Sequence, residues 1–260
     1  MSGSIDPLYT LSGFCVGALV GMTGVGGGSL MTPLLILLFG IHPSVAVGTD
    51  LLYAAVTKAG GTLVHGFYGS IEWRIVGRLA AGSIPATALA IGALSQADLS
   101  GEVSRAAINT VLSAALLITA VVLMFRKTII KFYADYVGEL DPRRTKTFTI
   151  AFGAALGVLV ALSSVGAGAI GVTALILLYP DLPIRRIVGT DIAHAVPLTL
   201  AGGVGHWLLG TTNWYLLASL VLGSLPGVFI GGHVSVRIPE TALRVILASV
   251  LIVVASKLLV

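Results

Sequence analysis

The sequence predicts an all-α, polytopic integral membrane protein. About ten segments form two inverted repeats of five, each repeat with a short re-entrant or broken helix. Three observations lead there. Of 260 residues, 56% are hydrophobic and 10% charged, where average soluble usage is roughly 25% charged. Mean hydropathy is +1.02, and the apolar residues form long runs such as Ile108 to Met124 and Arg244 to Val260. Each run is near the roughly 20 residues a helix needs to cross a bilayer. Finally, the two halves of the chain carry the same uncommon residues at a fixed spacing.

Apolar runs between punctuating residues lie near 8–22, 28–40, 45–66, 74–94, 106–125, 147–163, 168–180, 187–209, 214–232 and 241–259. The segments 28–40 and 168–180 are short for a span and read as re-entrant or interfacial. Each follows a glycine-rich stretch, "GVGGGS" from Gly24 to Ser29 and "SVGAGA" from Ser164 to Ala169. Sliding residues 48–85 onto 189–226, a shift of 141, gives 12 identities in 38 ungapped positions. They include Asp50/Asp191, His65/His206, Trp73/Trp214 and Pro85/Pro226. Leucine-rich helices matched by chance would not share these types. A one-residue slip brings Gly26 onto Gly166 and Gly28 onto Gly168. The chain therefore divides into a first membrane repeat, 1–125, a linker, 126–146, and a second, inverted repeat, 147–260.

Charge sets the expected orientation. The linker holds six Lys/Arg, and the positive-inside rule puts it in the cytoplasm with both termini outside. Twelve of the fifteen Lys/Arg then face inward. The repeats agree, because Arg74 and Arg78 align with Tyr215 and Ser219, while Arg185 and Arg186 align with Ser44 and Val45. Loops at equivalent positions have exchanged their charge, as opposite topologies require. Inverted repeats with discontinuous helices mark a secondary transporter whose substrate sits near the midplane. The opening residues show no basic n-region or A-x-A-like site of a cleavable signal. Cys15 is the single cysteine, so no intramolecular disulfide forms.

The stretch "GMTGVGGGSLMTP" from Gly21 to Pro33 lacks both G-x-x-x-x-G-K-[ST] and a G-x-G-x-x-G placed between strand and helix, so it is no nucleotide loop. Consecutive glycines before a short segment, repeated in the other half, read as a helix break rather than as helix packing. A half-helix starting at Gly28 or Gly168 aims unpaired N–H groups and a positive dipole end inward, which suits an anion. Gly26, Gly27, Gly28, Gly166 and Gly168 are the backbone donors expected there, with Ser29 and Ser164 adding hydroxyls and Thr23 and Thr32 as weaker candidates. Lys58 is the one basic residue deep in a segment, where a charge is costly and marks function. Its repeat partner is Thr199, so its role breaks the symmetry.

Asp50 and Asp191 both follow Gly-Thr and read either as helix N-caps or as proton-coupling groups. His65 and His206 are further proton-coupling candidates, since histidine titrates near neutrality. The Trp73/Trp214 pair just beyond them instead suggests histidines near a helix end. His194 is a weaker candidate for a relay. Pro85, Pro197 and Pro226 read as kink sites. No catalytic constellation, metal-ligand cluster or cofactor motif stands out, so neither an enzyme nor a cofactor is expected. The basic residues form no groove for nucleic acid.

The pattern GxxGxGGGxxxxPLL (Gly21 to Leu35), then "AVGTD" (Ala46 to Asp50) and "GSIP" (Gly82 to Pro85), resembles the sulfite exporter family of the TauE/SafE type. The resemblance covers both halves apart from the linker. It implies a small secondary carrier of the bacterial cytoplasmic (inner) membrane, with proton coupling commonly inferred. Its substrates would be sulfur-containing anions such as sulfite, sulfoacetate or other organosulfonates. Many relatives are expected to carry Ser after the Gly-Thr, whereas both halves here carry Asp. Those carboxyl groups must be protonated, paired with Lys58, or away from the substrate. The expected partners are a small anion and the lipid bilayer, and the helix faces leave room for a homodimer. Two other functions stay open: a carrier of a cation or neutral solute through Asp50 and Asp191, and a non-transporting membrane scaffold or enzyme subunit.

Overall fold

The computed structural model describes residues 6–23, 28–96, 101–136, 141–235 and 240–259. The described residues form ten helices and no strand. They are α1 (Pro7–Thr23), α2 (Gly28–Phe39), α3 (Pro43–Phe67), α4 (Trp73–Leu94), α5 (Glu102–Tyr136), α6 (Pro142–Ser163), α7 (Ala169–Leu178), α8 (Ile184–Leu208), α9 (Trp214–Ser235) and α10 (Glu240–Leu259). Five of them contain stretches long and apolar enough to cross a membrane, and shorter apolar helices accompany them. Local chemistry sets several ends. Asp141 caps α6 by accepting from the Arg143 N–H at 3.1 Å, with Pro142 at the first helical position, where its missing N–H costs nothing. Prolines 85, 197 and 226 lie within continuous helices.

Polarity is inside out relative to a soluble protein. Leu89 is 75% exposed while Asp50 is 0% exposed, the distribution expected where lipid is the solvent. Much of the stretch read as a linker is helical, because α5 continues through Arg126 and Lys131 to Tyr136 before α6 begins at Pro142.

The helices of the two halves interleave. The main packing pairs are α1 with α9, α4 with α6, α3 with α8 and α5 with α10. If α1 corresponds to α6, α4 to α9, and so on, then α1–α9 and α6–α4 are one contact made twice. Glycine permits both. A Cβ on Gly82 would strike the Ile150 carbonyl of α6, and one on Gly223, its equivalent at a shift of 141, would strike the Thr10 carbonyl of α1. Backbones that meet this closely pack by small-residue contact, the usual means of helix association in lipid.

The reciprocity reaches single hydrogen bonds. The Glu72 N–H donates to Thr190 Oγ1 at 2.9 Å, and the Asn213 N–H donates to Thr49 Oγ1 at 3.1 Å. His65 Nδ1 lies 2.9 Å from Ser70 Oγ in the turn after α3, and His206 Nδ1 lies 2.8 Å from Thr211 Oγ1 in the turn after α8. A Cβ on Gly48 would meet the Thr211 carbonyl and His206, while one on Gly189 would meet the Ser70 carbonyl and His65. Each Gly-Thr thus receives the turn that closes the other half's long helix.

Candidate functional site

The helix break in the second half is explicit. α6 ends at Ser163, Ser164 takes a left-handed φ of 58°, and Gly166 and Gly168 have φ of 120° and 131° before α7 starts at Ala169. Side-chain-bearing residues rarely adopt the glycine values, which fixes glycine at both positions. Residues 163–169 are all buried, so this is irregular backbone inside the protein, the setting in which a membrane tolerates it. In the first half, α1 stops at Thr23 and α2 begins at Gly28. Gly26 and Gly27 lie outside the described residues. For Ser29 the helical backbone alone is described.

Around the break stand the buried ionisable groups Asp50 and Lys58 from α3 and Asp191 and His194 from α8. Lys58 Nζ donates to the Ala167 carbonyl, in the break, at 3.2 Å. It is within electrostatic reach of Asp191, Asp50 and His194. A contact ion pair lies elsewhere, between Arg186 and Glu72 at 2.6 Å.

Neither aspartate caps its own helix. α3 begins at Pro43 and α8 at Ile184, which places Asp50 and Asp191 about two turns inside. The local N-cap reading is therefore corrected. Each carboxylate instead addresses the early turns of the neighbouring short helix. Asp50 Oδ2 accepts from Thr32 Oγ1 at 2.5 Å and from the Thr32 N–H at 3.2 Å, both in α2. Asp191 Oδ1 lies against Gly171 in the first turn of α7, where a Cβ would collide with it. The ends read as anion sites thus already face the chain's own carboxylates, whose negative charge suits a helix N-terminus.

The two aspartates are held differently. Asp50 has two hydrogen bonds from Thr32. Asp191 has no hydrogen bond among the described residues and faces Lys58 electrostatically. Thr173, which a shift of 141 makes the counterpart of Thr32, donates to its own helix at Ala169 O, 2.8 Å away. The Ser164 hydroxyl lies beside Asp50, and Ser164 Oγ and Asp50 Oδ1 are both buried with no other hydrogen-bond partner.

The structure adds Tyr53 and Ser83, which sequence reasoning missed. Tyr53, fully buried on α3, lies beside Asp50 and Ser224. His194 Nε2, the weaker candidate, sits 2.9 Å from Ser83 Oγ. At a shift of 141, Tyr53 corresponds to His194 and Ser83 to Ser224, so a serine meets a polar ring in both halves. That correspondence was available in the sequence, although the rings differ. His65 and His206 hold the turns described above, and His206 Nε2 also lies 2.9 Å from the Ala161 carbonyl.

At the far end of α7, a cavity of about 470 Å³ is lined by Arg78, Thr145, Tyr179 and Asp181 among others. Arg78 Nη1 donates to Tyr179 Oη at 3.1 Å, which in turn lies 2.8 Å from Thr149 Oγ1. The ten residues of α7 span about 15 Å between this mouth and the break.

An all-helical, multi-pass membrane protein with buried charges gathered at a broken helix has the layout of a transport protein. Residues 9–258 match the family described as "Sulfite exporter TauE/SafE", and the chain belongs to that family. It is 41% identical to "Probable membrane transporter protein YjnA" of Bacillus subtilis, over 96% of this chain and 98% of that protein. YdhB, another probable membrane transporter protein of B. subtilis, is 27% identical over 91% of this chain and 93% of its own. A probable membrane transporter protein of Methanocaldococcus jannaschii is 25% identical over 94% and 92%. The family and these relatives are described as membrane transporters. No solved structure matches.

Proposed function

We propose that this membrane transporter is a secondary carrier of a small sulfur-containing anion, namely sulfite, sulfoacetate or another organosulfonate. It works by alternating access between two inverted halves in the bacterial cytoplasmic membrane. The central linker faces the cytoplasm and both termini face outward, following the positive-inside distribution of Lys and Arg. The observation that carries the reading is the buried Asp50–Lys58–Asp191 cluster at the α6–α7 break. Buried charge is retained in a membrane where it serves transport.

In this reading the anion takes the N–H groups of Gly26, Gly27 and Gly28 and of Gly166 and Gly168. Ser29 and Ser164 donate hydroxyls, and Lys58 supplies the positive charge. Asp50 and Asp191 occupy those helix ends before the anion arrives. Protonating a carboxyl group removes the charge that competes with the anion, so proton and anion bind together. This arrangement supports proton coupling through the aspartates.

The test is counterflow of labelled sulfite into proteoliposomes loaded with unlabelled sulfite, competed by sulfoacetate, taurine, sulfate and chloride. Saturable counterflow with a competition order supports the reading. Its absence, from protein shown to be folded, removes sulfite. Lys58→Met is expected to abolish anion binding while the protein stays folded. Binding that survives Lys58→Met but is lost in Asp50→Asn would favour a cation carrier.

A further inference from the structure

Two cavities meet at Leu178, the last residue of α7. The first is the cavity of about 470 Å³ described above, with Arg78, Pro142, Thr145, Tyr179 and Asp181 in its wall. The second, of about 350 Å³, lies between α5, α6 and α7 and is lined by Tyr133, Phe148, Phe152, Ala174 and Leu177 besides Leu178. Its side chains are apolar except for the Tyr133 hydroxyl. Phe148 and Ala151 in its wall are exposed, so this groove opens toward lipid.

Arg78 brings an uncompensated charge to the first cavity. Among the described residues it makes no ion pair, and its hydrogen bond goes to the neutral Tyr179 Oη at 3.1 Å. A guanidinium carries several N–H donors, so others stay free for an anion, and their fork matches a phosphate. The other half is built differently here. Ser219 stands at the equivalent of Arg78 and accepts from the Asp6 N–H at 3.2 Å. α6 begins at Pro142, eight residues before the Ile150 carbonyl that faces Gly82, whereas α1 begins at Pro7, three before the Thr10 carbonyl that faces Gly223. The extra turn of α6 presents Arg143, Arg144 and Lys146, all exposed. The stretch read as a linker thus helps to wall both cavities, through Tyr133 in one and Pro142 and Thr145 in the other.

We infer that the joined cavities bind one anionic phospholipid, its phosphate at Arg78 and one acyl chain in the α5–α6–α7 groove. Basic pockets between transmembrane helices are recurring sites for phosphate-bearing lipid heads. Asp181 lines the same cavity, which favours a head whose hydroxyls donate to a carboxylate, as those of phosphatidylglycerol do.

The test uses the full chain, purified in detergent and offered equal amounts of phosphatidylglycerol and phosphatidylcholine with the same acyl chains. Native mass spectrometry counts the lipids retained. The unmodified protein is expected to keep one lipid and to favour phosphatidylglycerol about fivefold, the worth of one basic residue at a membrane surface. Arg78→Gln should bring the two lipids to parity. Ala151→Trp, which fills the groove from an exposed position, should lose the bound lipid. Equal retention of the two lipids by the unmodified protein, or a preference that survives either substitution, marks ordinary surrounding lipid and overturns the inference. Displacement by glycerophosphate as readily as by phosphatidylglycerol also overturns it, since a soluble anion has no chain for the groove. Should Arg78→Gln fail to fold, Ala151→Trp decides, because it leaves the guanidinium in place. No transported solute enters the readout, so its outcome is separate from that of sulfite counterflow.

Discussion

Asp191 and Gly171 are in such close contact that the carboxylate Oδ1 fills the space a side chain at position 171 would need. The first turn of α7 and the charged face of α8 are therefore fitted to each other through one missing methyl group. Gly171→Ala is expected to displace the carboxylate, at an overpacking cost of about 1–3 kcal/mol. Counterflow should fall at least about tenfold, the equivalent of about 1.4 kcal/mol, in protein that still elutes as a single species. Unchanged counterflow would separate Asp191 from the transport cycle.

The contrast between Thr32 and Thr173 gives a second prediction. Thr32 donates its hydroxyl to a buried carboxylate, while Thr173 donates to its own helix. Thr32→Val should lower stability by about 1.5–3 kcal/mol, the range for a hydrogen bond to a charged group. Thr173→Val should cost less, at most about 1.5 kcal/mol. Melting curves of the two variants in one detergent decide it, and equal shifts would count against a fixed role for Asp50.

Gly82 and Gly223 are predicted to behave as equivalents. An alanine at either position meets a carbonyl of the facing helix, whereas Gly77 and Gly92 have open space around the same position. Gly82→Ala and Gly223→Ala should each cost about 1–3 kcal/mol. Gly77→Ala and Gly92→Ala should be neutral or slightly stabilising, by the helix preference of about 1 kcal/mol for alanine over glycine. Detergent unfolding of all four variants tests the ordering.

Thr49 and Thr190 accept hydrogen bonds from the Asn213 and Glu72 N–H groups. Thr49→Val and Thr190→Val should each leave one backbone donor unpaired, at about 1–3 kcal/mol. The losses should be similar. Faster hydrogen exchange at Asn213 in the first variant and at Glu72 in the second would locate them.

Much of this architecture could be read from the sequence. All ten apolar runs correspond to helices, with ends within a few residues except at the end of α5 and the start of α6. The reason is that helix length and hydropathy are local properties. α5 overran its predicted end because Lys127 to Tyr136 contain neither glycine nor proline to stop the helix. Hydropathy reads the membrane boundary rather than the helix boundary. Asp50 misled for a related reason: Gly-Thr-Asp resembles a helix start, but Pro43 had begun the helix two turns earlier. Lys58 was legible because a lysine at that depth is costly. Thr32 was legible only as a weaker hydroxyl candidate, and Tyr53 and Ser83 were not, because Ser, Thr and Tyr are common within helices and their partners lie on other helices.

The pairing of α1 with α9 bears on how the protein is made. Asp6, just before α1, donates its N–H to Ser219 at 3.2 Å across a sequence separation of 213 residues. At roughly 5–20 residues per second, the ribosome needs on the order of 10–40 s to synthesise that stretch. Throughout this interval the glycine face of α1, at Gly13 and Gly17, lacks the backbone of Leu220 and Ser224 that later covers it. α6 joins an α4 that is already made, whereas α1 must wait in the bilayer until α9 follows. Seven helices are made between these two partners, and a chain truncated before α9 leaves α1 without its main packing surface.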